Sequence, residues 1–310
     1  HAGDQRRVLA CGCSDIHRSV DVNPMLAAKS FFESPTAELT PQMEQEFFAS
    51  LMTRNKTYKT TFHQRFADAN PLLLRQLKRD GLHTPTILDV GVSSGISTVE
   101  LHDDLRAGGF DPRIVATDVL VDASLVCVLP GCYALVDPAG FPLRFDLPFG
   151  TMKPWVVRSD YRSGFFVLRK IINVAMTSIS KRILRNPDNA RISRVKLVSP
   201  RLLAHSSISV CNDDISRYND AFANRFDFVR VANVLNRGYF SQDMLTAMVA
   251  NIGRYLRGPR AILFVVRTHE DTHNHGTLFR MGDDHRFEVA WRVGNGSEIE
   301  DVVLQSTASA

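Results

Sequence analysis

Two short segments carry residue types whose spacing could do chemistry. The first is Leu88-Asp89-Val90-Gly91-Val92-Ser93-Ser94-Gly95, with Asp118 closing the next apolar run and Asp213-Asp214-Ile215 following a third. Glycines between a strand and a helix let a ligand approach the backbone, and the helix N-terminus offers unpaired N-H groups and a partial positive charge. A carboxylate ending the second strand suits acceptance of two ribose hydroxyls. Together these residues describe a site for a nucleoside-bearing ligand. The second segment, His269-Glu270-Asp271-Thr272-His273, has the His-Glu-x-x-His spacing of zinc hydrolases, with His275 as an apparent third ligand. That chemistry requires a helix to place both histidines on one face, whereas this copy follows an apolar run that reads as a buried strand. A loop at the carboxyl edge of a sheet, facing substrate, is the expectation here, and no metal site is assigned.

The identity of the ligand turns on Asp89. A dinucleotide needs Gly-x-Gly-x-x-Gly, but only Gly91 and Gly95 are present, and an acid at the strand end repels a pyrophosphate. S-adenosylmethionine carries no phosphate, and its ammonium can use a nearby acid.

The elements that must position these residues alternate in type. Pro85 to Gly91 reads as a strand, the stretch to Arg106 as a helix, and Arg113 to Asp118 as a second strand, completing a beta-alpha-beta unit. Ser207 to Cys211, Phe226 to Val234 and Arg260 to Arg267 read as further buried strands, and Ser241 to Leu256 as an amphipathic helix capped by Ser241. Thr277 to Met281, Phe287 to Val293 and Ile299 to Leu304 read as antiparallel edge strands. The expected fold is therefore α/β, with a doubly wound, mostly parallel seven-stranded sheet.

This pattern resembles the class I S-adenosylmethionine-dependent methyltransferases over residues 85–118 and 206–304. The resemblance implies that Asp89, Gly91, Val92, Ser93 and Gly95 lie along the methionine portion, and Asp118 with Val119 at the ribose. It places Asp213, Asp214 and Ile215 at the adenine, with Arg230, Asn233 and Asn236 near the transferable methyl. Ser93 stands where a middle glycine is frequent in that family. Phe226 to Phe240 also resembles the corresponding part of chemotaxis-receptor methyltransferases, but Gly258-Pro259-Arg260 replaces their Pro-Gly-Gly turn, so their glutamate substrate is not carried over. The implied activity is methyl transfer to an oxygen, nitrogen or carbon acceptor, with His269, His273 and Asp271 as candidate bases by position. A small-molecule acceptor leads, with peptide and lipid headgroup open. The alternatives are a catalytically silent cofactor-binding partner and a zinc hydrolase.

Three units are expected: an N-terminal arm and helical extension over 1–84, a core over 85–120 and 206–310, and an insertion over 121–205 that caps substrate or contacts a second copy. In the extension, Met43, Phe47, Phe48, Leu51 and Met52 recur at helical spacing, and Asn70-Pro71 opens a second helix. Tyr58 to Arg65, just before the first strand, could cover the cofactor. The insertion reads as a hairpin over Cys132 to Leu147 and a long helix over Ser163 to Arg185, whose apolar stripe of Phe165, Leu168, Ile172, Met176, Ile179 and Ile183 is expected to face inward, onto an acceptor pocket or a second copy, with outward contact to a membrane surface as the alternative.

Composition fits this picture. The chain has 310 residues, 44% apolar and 23% charged, with a net charge of +4, which excludes fibrous and disordered classes and is too mild for a nucleic-acid partner. Its five cysteines, Cys11, Cys13, Cys127, Cys132 and Cys211, make no disulfide framework, so a reducing, cytoplasmic setting is expected.

Overall fold

The computed structural model describes residues 26–54, 58–59, 61–155, 164–269 and 273–306. In chain order, α1 (Ala28–Glu33) and α2 (Pro41–Ala49) precede α3 (Asn70–Arg79), β1 (Thr86–Val90), α4 (Ile96–Ala107) and β2 (Arg113–Asp118). Then come β3 (Asp122–Leu129), β4 (Cys132–Val136), β5 (Pro142–Leu147), β6 (Gly150–Met152), α5 (Phe165–Leu184), β7 (Ile192–Lys196) and α6 (Pro200–Ala204). The chain continues through β8 (Ile208–Asn212), β9 (Phe228–Ala232), α7 (Gln242–Tyr255), β10 (Ile262–Thr268), β11 (Asn274–Met281), β12 (Phe287–Val293) and α8 (Glu300–Gln305).

Seven strands form the main sheet in the order β12-β11-β10-β9-β1-β2-β8. The five from β10 to β8 are parallel, and β11 and β12 follow as antiparallel hairpins. Helices cover both faces, because alternate residues of each buried strand point opposite ways. Leu88, Val229 and Leu263 pack under Leu245, Val249 and Ile252 of α7, while Ile87, Phe228 and Ile262 pack under Leu73 and Leu77 of α3, Leu101 of α4 and Leu202 of α6. The expected doubly wound sheet is present, and the chain reverses winding direction between β1 and β9. That reversal opens a crevice at the carboxyl ends of these strands.

The last expected strand is a helix. Ile299, Val302 and Val303 are all buried, and a strand would send adjacent Val302 and Val303 to opposite faces, whereas a helix buries positions i, i+3 and i+4 together. Glu300 and Asp301 also occupy its first turn, where carboxylates favour the helix dipole.

The insertion is larger than a hairpin and a helix. It forms a second, antiparallel sheet in the order β6-β5-β4-β3-β7, of which β3, β6 and β7 were not expected. The N-terminal extension also divides. Phe31 of α1 and Phe47 and Phe48 of α2 join Leu125, Leu135 and Leu143 of the second sheet in one cluster, while α3 packs on the main sheet. A buried ion pair fixes this docking: Arg144 Nε donates to Asp146 Oδ1 at 3.1 Å, Asp146 Oδ2 accepts the Ala28 N-H at 2.6 Å, and the Arg144 guanidinium reaches Ser50 Oγ and the Leu26 carbonyl. Residues 26–51 therefore pack with the insertion, not with the segment ending at 84.

Helix α5 buries Met176, Ser180 and Ile183 only. Leu168 and Ile179, expected inward, are exposed, and Val167, Ile171 and Val174 point outward beside them. The helix is apolar on both sides over its first three turns. Among the described residues no helix is long and apolar enough to cross a membrane.

Candidate active site

The turn from β1 into α4 is held in a conformation few residues adopt. Gly91, Ser93 and Gly95 have φ of +75°, +56° and +78°. A Cβ on Gly91 would lie 2.1 Å from Val234 Cγ2, and one on Gly95 would lie 2.5 Å from Leu202 Cδ2, so both positions require glycine. The Gly91 and Val92 N-H groups both donate to the Thr117 carbonyl, at 2.8 and 3.0 Å, tying the loop to the end of β2. Ser93, the one side-chain-bearing residue of the three, is held by its N-H donating to Asp118 Oδ2 at 2.8 Å. Ser94 Oγ is buried in this loop with no hydrogen-bond partner among the described residues.

Asp118 sits at the carboxyl edge of the sheet, as its place at the end of β2 requires. Besides Ser93, the Leu120 N-H donates to its Oδ1 at 3.0 Å. Val119 beside it is 64% exposed. The surprise is Lys59, whose ammonium donates to the Ser93 carbonyl at 3.0 Å and stands 3.5 Å from Asp118 Oδ1. Lys59 is only 3% exposed, and burial pushes its pKa below the ordinary lysine value while Asp118 pulls it back up. The sequence marks the Tyr58 to Arg65 segment that carries Lys59 but not the lysine itself, since a single lysine has no spacing signal.

Lys59 arrives on a strap. From it the chain crosses the carboxyl edge, with His63 Nδ1 and the Gln64 N-H both on Glu100 Oε1 of α4, at 2.8 and 2.7 Å. Further along, Arg65 Nε donates to Thr268 Oγ1 at 2.8 Å, and Asn274 Nδ2 donates to the Arg65 carbonyl and to Asp68 Oδ1, each at 2.6 Å. The strap thus links α4 to the β10–β11 hairpin.

Asp89 and Arg230 lie elsewhere than expected. They are register partners on adjacent strands β1 and β9, so their side chains share a face beneath α4. Arg230 Nε donates to Asp89 Oδ1 at 2.8 Å and Nη2 to Oδ2 at 2.6 Å, Thr98 Oγ1 donates to Oδ2 at 2.7 Å, and both side chains are 1% exposed. The pair is enclosed in the core, so neither the methionine role expected of Asp89 nor the methyl-facing role expected of Arg230 matches where the side chains sit.

The two asparagines serve the backbone. Asn233, at φ +60°, accepts the Thr268 N-H on Oδ1 at 2.8 Å and joins the ends of β9 and β10. Asn236 accepts the Gly238 and Tyr239 N-H groups on Oδ1, each at 3.1 Å, and so caps its own turn. On the other side of the crevice, Asp213 Oδ1 accepts Asn219 Nδ2 at 2.8 Å and burial raises its pKa. Asp214 is exposed and caps Ser216, while Ile215 is packed into the core against Leu245 and Val249, leaving little of it for a ring.

His269 and His273 follow and precede antiparallel β10 and β11, where the His269 N-H donates to the His273 carbonyl at 3.0 Å. They thus stand opposite each other at the ends of two antiparallel strands, which is not the one-face helical placement of a zinc hydrolase. The His275 Nδ1 accepts the Asn295 N-H at 2.8 Å. Glu270, Asp271 and Thr272 lie outside the described residues, as do Cys11 and Cys13.

No family model matches the sequence, and no curated protein matches it. Among solved structures, the CMeT domain of the citrinin polyketide synthase is 13% identical, the match covering 74% of this chain and 40% of that chain with a TM-score of 0.35. The cyclase SpnF is 14% identical over 65% of this chain and 47% of its own, with a TM-score of 0.29. The phosphoethanolamine N-methyltransferase 2 of Haemonchus contortus, solved with S-adenosylhomocysteine, is 12% identical over 64% of this chain and 28% of its own, with a TM-score of 0.28. The matched region spans less than half the length of each of these three structures.

Proposed function

We propose that the chain is an S-adenosylmethionine-dependent methyltransferase acting on a small-molecule acceptor. The observation that carries the reading is the clasp between the glycine loop and Asp118: three positive-φ residues in the β1–α4 turn, with the Ser93 N-H fixing the carboxylate that ends β2. The residues suit such a cofactor. Asp118 accepts from the Ser93 and Leu120 N-H groups and from Lys59, so with the lysine withdrawn it has acceptor sites for a ribose diol; exposed Val119 offers an apolar flank for adenine, and exposed Asp214 is an acid on the adenine side. When bound, the cofactor supplies a methyl group activated by a sulfonium.

The chain's own residues then act by position. The Asp89–Arg230 pair fixes β1 to β9 beneath the loop and shapes the crevice without touching the ligand. His269, exposed at the hairpin, faces the carboxyl edge where an acceptor would enter, and alignment of acceptor and methyl is the main contribution asked of the protein. The Lys59 ammonium shares the Asp118 carboxylate with the ribose and must shift as the site loads. A second reading, cofactor binding without catalysis, draws on that same lysine and on the asparagines being committed to the backbone.

Calorimetric titration with S-adenosylmethionine and S-adenosylhomocysteine tests the proposal. Micromolar binding that Asp118→Ala and Gly91→Arg both weaken supports it, and a folded wild type that binds neither ligand rejects it. Binding without turnover of any acceptor selects the second reading.

A further inference from the structure

His102 in α4, its neighbour Asp103, and His205 at the end of α6 come together at the junction of α4, α6 and β8. One ligand atom from each lies within 4.8 Å of the others, and no other three His, Cys, Asp or Glu side chains converge in this way among the described residues. The two imidazole centroids are 4.5 Å apart with planes tilted by 54°. His102 Nδ1 is 3.1 Å from Asp103 Oδ1, and its Nε2 is 2.8 Å from Ser207 Oγ.

We infer that these three side chains form a binding site for a divalent transition-metal ion. Imidazole and carboxylate together suit zinc and its neighbours rather than calcium or magnesium, which take oxygen ligands. A cation held by His102 Nδ1 leaves Nε2-H to donate to Ser207 Oγ. That outer hydrogen bond fixes tautomer and ring orientation, as metal-bound imidazoles require. Burial is graded in the sense a site needs: His102 is buried, His205 half-buried and Asp103 exposed. The ion therefore has an entry path and room for water in its remaining positions. Modest side-chain rotation brings ligands at these separations onto one ion with bonds of about 2.0–2.2 Å.

The site has a structural consequence. Helix α4 follows the glycine loop, and α6 with Ser207 returns the chain from the insertion into β8, so an ion here braces the insertion's return against the helix that begins at the loop. His102 lies about 9 Å along α4 from its first residue, and the inference does not depend on the cofactor assignment.

The test uses the full chain, stripped with chelator, titrated with zinc by calorimetry and with cobalt by visible absorption. One equivalent of metal is expected to bind, with cobalt d–d bands and no thiolate charge-transfer band, which separates this site from cysteine ligation. His205→Ala and Asp103→Asn, at accessible positions that leave the core intact, are expected to weaken binding by tenfold or more, and Ser207→Ala by about tenfold. Zinc is also expected to raise the thermal midpoint of the wild type and not that of His205→Ala. Absence of stoichiometric binding, binding unchanged in His205→Ala, or a thiolate charge-transfer band overturns the inference.

Discussion

The Lys59 ammonium and the Asp118 carboxylate face each other at 3.5 Å at the carboxyl edge of β2, with the Ser93 carbonyl 3.0 Å from the same nitrogen. A ribose diol placed at Asp118 competes with that ammonium for one carboxylate. Lys59→Met keeps the stem and removes the charge, so S-adenosylmethionine affinity is expected to rise by about tenfold, or ~1.4 kcal/mol. Calorimetry reads this directly. Weaker binding in the variant would mean that Lys59 holds the ligand instead of competing with it.

The same lysine imposes a pH dependence on stability. Burial holds its folded-state pKa below the ordinary 10.5, so between the lowered value and 10.5 the unfolded chain binds more protons than the folded one. Stability contributed by this group therefore rises with pH across that window. Urea unfolding from neutral to alkaline pH should show wild type gaining on Lys59→Met as pH increases. Parallel curves for the two proteins would refute the assignment.

The core strands and the glycine loop were legible because their signals are local: an apolar run, an acid, glycines and a helical period. The place of Asp118 at the end of β2 was legible for the same reason. What could not be read depends on contacts between distant segments. Lys59 reaches Asp118 across 59 positions, and Arg230 reaches Asp89 across 141; nothing in either neighbourhood marks the partner. Asp89 looked like a ligand acid because an acid at a strand end is usually exposed to the crevice, and only the strand order puts an arginine opposite it. The second sheet was missed at β3, β6 and β7, and β3 pairs with β7 across the whole of β4 to β6 and α5. The outward apolar side of α5 was invisible to a periodicity argument that assumes one buried stripe.

The Asp89–Arg230 pair makes its own prediction. Removing one partner of a buried ion pair leaves the other charge uncompensated, which costs about 3–5 kcal/mol. Asp89→Asn and Arg230→Met should each lower the unfolding free energy by that much, read as a fall in the urea midpoint at unchanged slope, while the double variant recovers part of the loss. Should Arg230→Met unfold like wild type yet lose turnover, the arginine belongs to the active site after all.

Gly91 combines two separable costs. Its φ of +75° disfavours any L-residue, by about 1–2 kcal/mol, and a Cβ there meets Val234 Cγ2 at 2.1 Å, a contact that must be relieved by movement of the β9–α7 turn. Gly91→Ala should therefore destabilise by more than the backbone cost alone. Adding Val234→Ala removes the clash and not the dihedral strain, so the pair should recover relative to Gly91→Ala once the separate cost of Val234→Ala is subtracted in a double-mutant cycle. A coupling near zero would show that the loop yields without pressing on Val234, and the close packing of the loop against the turn after β9 would then not be what demands glycine at this position.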